Sequence, residues 1–141
     1  MTNPTYRIAS CHHIRVQTPE PHVVRLLAAV LTVDPLVWGD YDQVSFTTAA
    51  GLQRFRTLPG ARNRATGEAE SVPCVELSFV VPQQADLAAI LTALTDAHAY
   101  EEPVIMVTSV LRTLHIRGMG EDAPSRFWNQ PAEDWVPPAH R

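Results

Sequence analysis

The chain has 141 residues, 45% of them hydrophobic, and a formal charge of -4 from 15 acidic and 11 basic side chains, every basic one an arginine. That size fits one domain with one core, too long to need disulfide staples and too short for two full-sized domains. The acidic balance argues against a nucleic-acid surface, no stretch approaches the roughly 20 apolar residues of a membrane span, and MTNPTYRIAS lacks the charged start and apolar run of a secretory leader, so the cytoplasm is the expected location.

Residues 6–17 (YRIASCHHIRVQ) alternate and are rich in β-formers, which predicts a strand. Thr18 before Pro19-Glu20-Pro21 reads as a helix start, and Val24, Leu27, Ala28 and Leu31 fall at helical spacing until Asp34-Pro35 stops the run. Two short strands, 41–48 and 52–58, are expected to form a hairpin through Ala49-Ala50-Gly51. Pro59, Gly60, Asn63 and Gly67 mark 59–71 as an exposed loop. Residues 74–81 alternate as a strand, and Gln83–His98 is a second helix with Leu87, Ile90, Leu91 and Leu94 as its stripe. A last strand covers 104–116. From Gly118 the chain turns Pro-rich and aperiodic, so the expected division is a domain over 1–117 and a tail over 118–141.

The order β-α-β-β-β-α-β predicts an α+β, ferredoxin-like split βαβ sandwich: one sheet, both helices on one face, and an extra hairpin strand. A faint internal repeat sets a register. Cys11 to Pro19 and Cys74 to Pro82 share one spacing, and the same offset carries Ile14 to Leu77, Val16 to Phe79 and Leu27 to Ile90. Taking the first strands of the two halves as parallel neighbours pairs Ile14 with Leu77 beneath the helices. It pairs His13 with Glu76 and Arg15 with Ser78 on the open face, and sets Cys11 beside Cys74. In a reducing cytoplasm the two cysteines are expected to be packed thiols.

Gly39-Asp40-Tyr41-Asp42-Gln43-Val44-Ser45-Phe46-Thr47-Thr48 and His98-Ala99-Tyr100-Glu101-Glu102-Pro103 together resemble the PII-like (CutA-like) domain inserted in the Nif-type dinuclear-metal proteins, the GTP cyclohydrolase I type 2 homologues. That domain has a GNYxxCSF-like strand and an HPYEEP-like turn after its last helix. The resemblance spans about residues 7–112, with Asp40 in place of Asn, Val44 of Cys and Ala99 of Pro. It implies a stand-alone PII/CutA-like module, a family of typical trimers. The family's His-His metal pair belongs to a flanking domain; His12-His13 lies within a strand, where neighbours point to opposite faces and cannot share an ion.

Three groups carry candidate chemistry. His98 with Glu101 or Glu102 is a carboxylate–imidazole cluster suited to a divalent metal or to proton transfer; the plainer reading is a turn closing the helix. Arg54, Arg56, Arg62 and Arg64 form the basic cluster, a site for a small anionic ligand or else a solvated face, with Tyr41 and Tyr100 as further ligand-binding candidates near the His98 edge that the resemblance implies. Phe127, Trp128 and Trp135 are too many large aromatics for a free linker. No Ser-His-Asp or Cys-His nucleophile is visible, so the reading leans away from an enzyme. The expected function is an oligomeric binding or regulatory module, trimer favoured, with no nucleic acid and no membrane. The alternatives are a metal-binding or metal-dependent hydrolase-related protein using the His98/Glu cluster, and a scaffold recruiting a partner through its aromatic tail.

Overall fold

In the computed structural model, which describes residues 4–141, β1 (Tyr6–Thr18) is one long strand. From Ile14 on it alternates strictly, with Ile14, Val16 and Thr18 buried and Arg15 and Gln17 half-exposed. Thr18 does not cap the following helix. It is the last residue of the strand, buried, and its hydroxyl donates to the Pro19 carbonyl. Pro19-Glu20-Pro21 instead opens a 3-10 turn (Glu20–His22) that runs into α1 (Val23–Leu31). The helix ends where the Thr32 hydroxyl bonds the Ala29 carbonyl and the Asp34 carboxylate accepts from Leu36 N at 2.8 Å.

The stripe of α1 is rotated from its predicted position. Leu26 and Val30 form the buried centre, Leu27 and Leu31 lie at its margin, and Val24 is 77% exposed. Every residue of VVRLLAAVL except Arg25 is apolar, so hydrophobicity alone cannot fix which face turns inward. In α2 (Leu87–Ala97) the expected stripe holds, with Ile90 and Leu94 fully buried, Leu87 packed beside them and Leu91 half-buried. Its start is fixed by Asp86, whose carboxylate accepts from Ala89 N at 3.1 Å.

The sheet runs β2-β4-β1-β5, with β3 also pairing β4; the strands are β2 (Phe46–Thr47), β3 (Gly51–Phe55), β4 (Glu70–Pro82) and β5 (Ile105–His115). Two expectations are corrected here. The segments 41–48 and 52–58 do not form a hairpin with each other: β2 and β3 lie one after the other along β4, both antiparallel to it. The pairs Thr47–Leu77 and Gly51–Cys74 leave one extra residue on the β2–β3 side, a bulge rather than a reversal. Gly51 lacks the positive φ a tight hairpin turn requires. Gly60 (φ 102°) and Gly67 (φ 81°) supply it instead, in the loop that reverses the chain between β3 and β4.

That reversal explains the second correction. β4 runs antiparallel to β1, not parallel, pairing Ile14 with Phe79, Val16 with Leu77 and Gln17 with Glu76. Arg15 does lie opposite Ser78, but His13 faces Val80. Cys11 pairs with Pro82 and Cys74 with Gly51, at opposite ends of β4 and not side by side. The two faces were nevertheless assigned correctly, with Leu77, Phe79 and Val81 turned to the helices. On the other side of β1, Gln17 N bonds Val104 O and Ile116 N bonds Thr5 O, an antiparallel pairing with β5.

The chain divides into two compact units, Ala9–Arg112 and the described residues up to Ile8 with Thr113–Arg141. The first contains the core of Ile14, Val16, Leu26, Val30, Leu36, Leu77, Phe79, Val81, Ile90 and Leu94. The second is tied by side chains to its own backbone: Asn129 Nδ2 reaches the Glu121 and Ala123 carbonyls, and Arg141 reaches those of Asp134 and Val136.

Leu94→Ala is expected to cost ~2–5 kcal/mol in urea unfolding, the range for a large side chain deleted from a packed core. Val24→Ala on α1 should change stability by less than about 0.5 kcal/mol. A larger loss at Val24 than at Leu94 would mean that the helix faces are misassigned.

Candidate functional site

The connection from α2 to β5 is built around His98, the residue ending the helix. Its Nδ1 accepts from Tyr100 N at 3.0 Å, which leaves Nε2 to carry the proton and donate to the Gln17 carbonyl at 2.7 Å. Since Gln17 N bonds Val104 O, both backbone groups of Gln17 are held by this one connection. The Tyr100 ring stands 4.8 Å from the imidazole. Burial pushes the Tyr100 phenol above its ordinary range, and the neighbouring Cys74 thiol adds to the effect. Glu101 turns outward and accepts from Arg62 N at 2.6 Å in the β3–β4 loop. The His-x-Tyr-Glu-Glu-Pro turn therefore joins the end of β1, the entry to β5 and the β3–β4 loop.

These contacts define what the predicted metal residues do here. Both ring nitrogens of His98 are engaged within the protein, so an ion would have to displace Gln17 or Tyr100. Glu101 holds the loop, and Glu102 is exposed. Among the described residues no group of three or more His, Cys, Asp or Glu converges. The tandem histidines do point apart: His12 shares the helix-covered face with Val81, its Nδ1 buried without a partner, and His13 lies on the open face beside Val80.

The predicted ligand residues fall in two places. Tyr41 does not open a strand. It closes a tight turn with Trp38, the two exchanging backbone bonds of 2.7 and 3.1 Å across Gly39 (φ 62°), and its side chain is exposed. Trp38 in turn lies under the Arg112 guanidinium, 4.4 Å from the ring centre. Arg54 sits in β3 opposite Ser71 and Arg56 just beyond it; Arg62 and Arg64 follow in the loop, all four exposed. Of the ligand set, Tyr100 is the residue tied to this arm, through Glu101 and Arg62.

Sequence reasoning missed three partners. The Gln17 carbonyl is a backbone group with no sequence signature. Trp38–Arg112 joins residues far apart in the chain. On the open face Arg15 spans β1, reaching Glu76 at 3.6 Å on one side and the Met106 sulfur at 3.7 Å on the other. Arg15–Glu76 follows from the antiparallel register, one diagonal step from the Gln17–Glu76 pair. Cys11 is buried. Desolvation raises its thiol above the usual range, with Arg112 opposing the shift.

No family model and no curated protein matches the sequence. Among solved structures, a Bacillus cereus protein related to NIF3 is similar over 79% of this chain, with 20% identity and a TM-score of 0.63. A Staphylococcus aureus protein is similar over 79% at 13% identity and a TM-score of 0.52. The chain spans 29% and 26% of those two proteins, less than a third of either. CutA1 from the psychrotrophic bacterium Shewanella sp. SIB1 is similar over 78% of this chain and 85% of its own, at 16% identity and a TM-score of 0.52. At these identities the likeness establishes the fold: α+β and ferredoxin-like, of the kind seen in CutA1. Among the described residues no helix is long and apolar enough to cross a membrane.

His98→Ala should cost about 1–3 kcal/mol, the range for a partly buried polar group left without its partner. The thiol of Cys11 and the phenol of Tyr100 both have raised pKa values when folded. Each stabilising contribution is complete below the unfolded pKa and is lost as pH rises towards the folded one. Stability should therefore fall from roughly pH 9 upward, and the fall should be shallower in Cys11→Ala and Tyr100→Phe. Denaturant melts between pH 7 and 11 read both effects.

Proposed function

We propose that this chain is an oligomeric binding or regulatory module of the PII/CutA-like kind, assembled as a trimer, with its ligand side on the arginine arm of β3 and the following loop. The observation that carries this reading is the open face of the sheet. A solvated face would be uniformly polar and a second core uniformly apolar. Here half-buried His13, Arg15, Gln17, Glu76, Ser78 and Val80 stand together, with the Arg15–Glu76 pair across them. Polar pairs set among apolar neighbours are what a specific subunit interface uses. The edge strand alongside exposes Phe46 and Leu52, a surface a lone soluble chain is expected to cover.

Arg54 and Arg56 are proposed to bind an anion, with the Glu101–Arg62 bond fixing the loop beside them and Tyr100 preceding it. The CutA-like fold and the resemblance of the His98–Pro103 turn support the assignment to this class. A role without chemistry of its own agrees with the engagement of His98 inside the turn.

Sedimentation of the full chain over a hundredfold range of concentration tests the assembly. The expected result is a trimer that dissociates on dilution; a monomer throughout that range would remove the oligomeric reading.

A further inference from the structure

The smaller unit displays a patch built for stacking. Phe127 meets Trp128 and Trp135 edge-on, at 5.1 and 5.7 Å between centres, and the two indoles remain 53% and 64% exposed. Their polar edges are already satisfied. Trp128 Nε1 donates to the Glu121 carbonyl at 2.9 Å, and Trp135 Nε1 donates to the Glu133 carboxylate. What these rings still offer is the π face. The Asn129 bonds to Glu121 and Ala123, with Gln130 bonded to Pro124, hold the segment in place, so little order remains to be imposed on binding. The same stretch carries four exposed acids, Glu121, Asp122, Glu133 and Asp134.

The complement lies in the same sequence. The β3 arm exposes Leu52 (74%), Phe55 and Leu58, interleaved with Arg54 and Arg56, and it continues into Arg62 and Arg64. Arginine is the cation that both stacks on an indole and forks onto a carboxylate. The chain already makes the stacking half of that contact, Arg112 on Trp38. One patch is aromatic and acidic, the other apolar and arginine-rich, and every copy carries one of each. A contact between unlike patches is heterologous, the kind that builds rings where its rotation closes.

We infer that the anion held by Arg54 and Arg56 is the acidic, tryptophan-bearing patch of a second copy of this chain, docked head to tail. This rests on the oligomeric reading above and adds a second contact between copies to the open-face interface. Trp128 and Trp135 supply the central contacts, and Asp122 and Asp134 the charges that select the partner surface.

Charge reversal tests it on the full chain. Arg54→Glu with Arg56→Glu, and separately Asp122→Arg with Asp134→Arg, should each weaken assembly about tenfold or more in sedimentation. Mixing the two variants should restore association between unlike copies, because the arm of each then meets a complementary patch on the other, while a ring of three keeps one mismatched contact and recovers only in part. A contact within one chain would not be rescued by mixing, so a mixture in which unlike copies do not associate overturns the inference. Variants that assemble as tightly as the wild type overturn it and leave the oligomer standing; a monomeric wild type removes both. Binding of inorganic phosphate to the arm with no loss of assembly would show a free anion as the occupant and also overturn it. Should the reversals prevent folding, Arg54→Gln with Arg56→Gln and Asp134→Asn carry the same expectation with a smaller loss, and unchanged assembly in these decides against it.

Discussion

Along its thirteen residues β4 is hydrogen-bonded to β1 on one side and to β2 and then β3 on the other, so its register positions three other strands. Ile14 and Val16 meet Phe79 and Leu77 there, and α1 and α2 close over that face. A slip of β4 by one residue would turn Leu77 and Phe79 to the open face and Glu76 into the core. The cost of burying that charge, with two core side chains exposed, makes the slip inaccessible. The same alternation that builds the core thus also delivers the Arg15–Glu76 pair to the opposite surface.

The elements whose hydrophobicity alternates or recurs with one clear phase were legible in the sequence: β1, β4, α2 and the split βαβ order. Where the sequence offers no phase, as in α1, the stripe was set off its centre: Leu27 and Leu31 pack at the margin and Leu26 and Val30 hold the middle. Strand direction was lost for a different reason. The repeat between Cys11–Pro19 and Cys74–Pro82 is a repeat of local pattern, and local pattern does not encode whether two strands run together or opposed. That is decided by the reversal between β3 and β4, through the positive φ of Gly60 and Gly67. Gly51 carried the same residue type without the conformation, hence the misplaced hairpin.

At the candidate site the His98–Pro103 motif was visible and its bonding was not. A histidine beside two glutamates reads most plainly as a helix-ending turn and also as a metal cluster. The choice depends on whether the ring nitrogens are free, and that depends on a carbonyl 81 positions away. The bonds found are those of a linchpin: the imidazole continues the bonding of β1 beyond the start of β5 and holds the backbone of Tyr100.

The absence of lysine now acquires a meaning for control. A lysine-rich arm could be silenced by acetylation, and its ammonium groups lose charge in alkaline solution. Guanidinium groups keep theirs throughout the range in which a protein folds. The positive charge of Arg54, Arg56, Arg62 and Arg64 is a permanent fixture, open to neither route of switching. For the contact proposed above, modulation would have to come from the acidic side, from ionic strength, or from a competing anion that displaces the carboxylates.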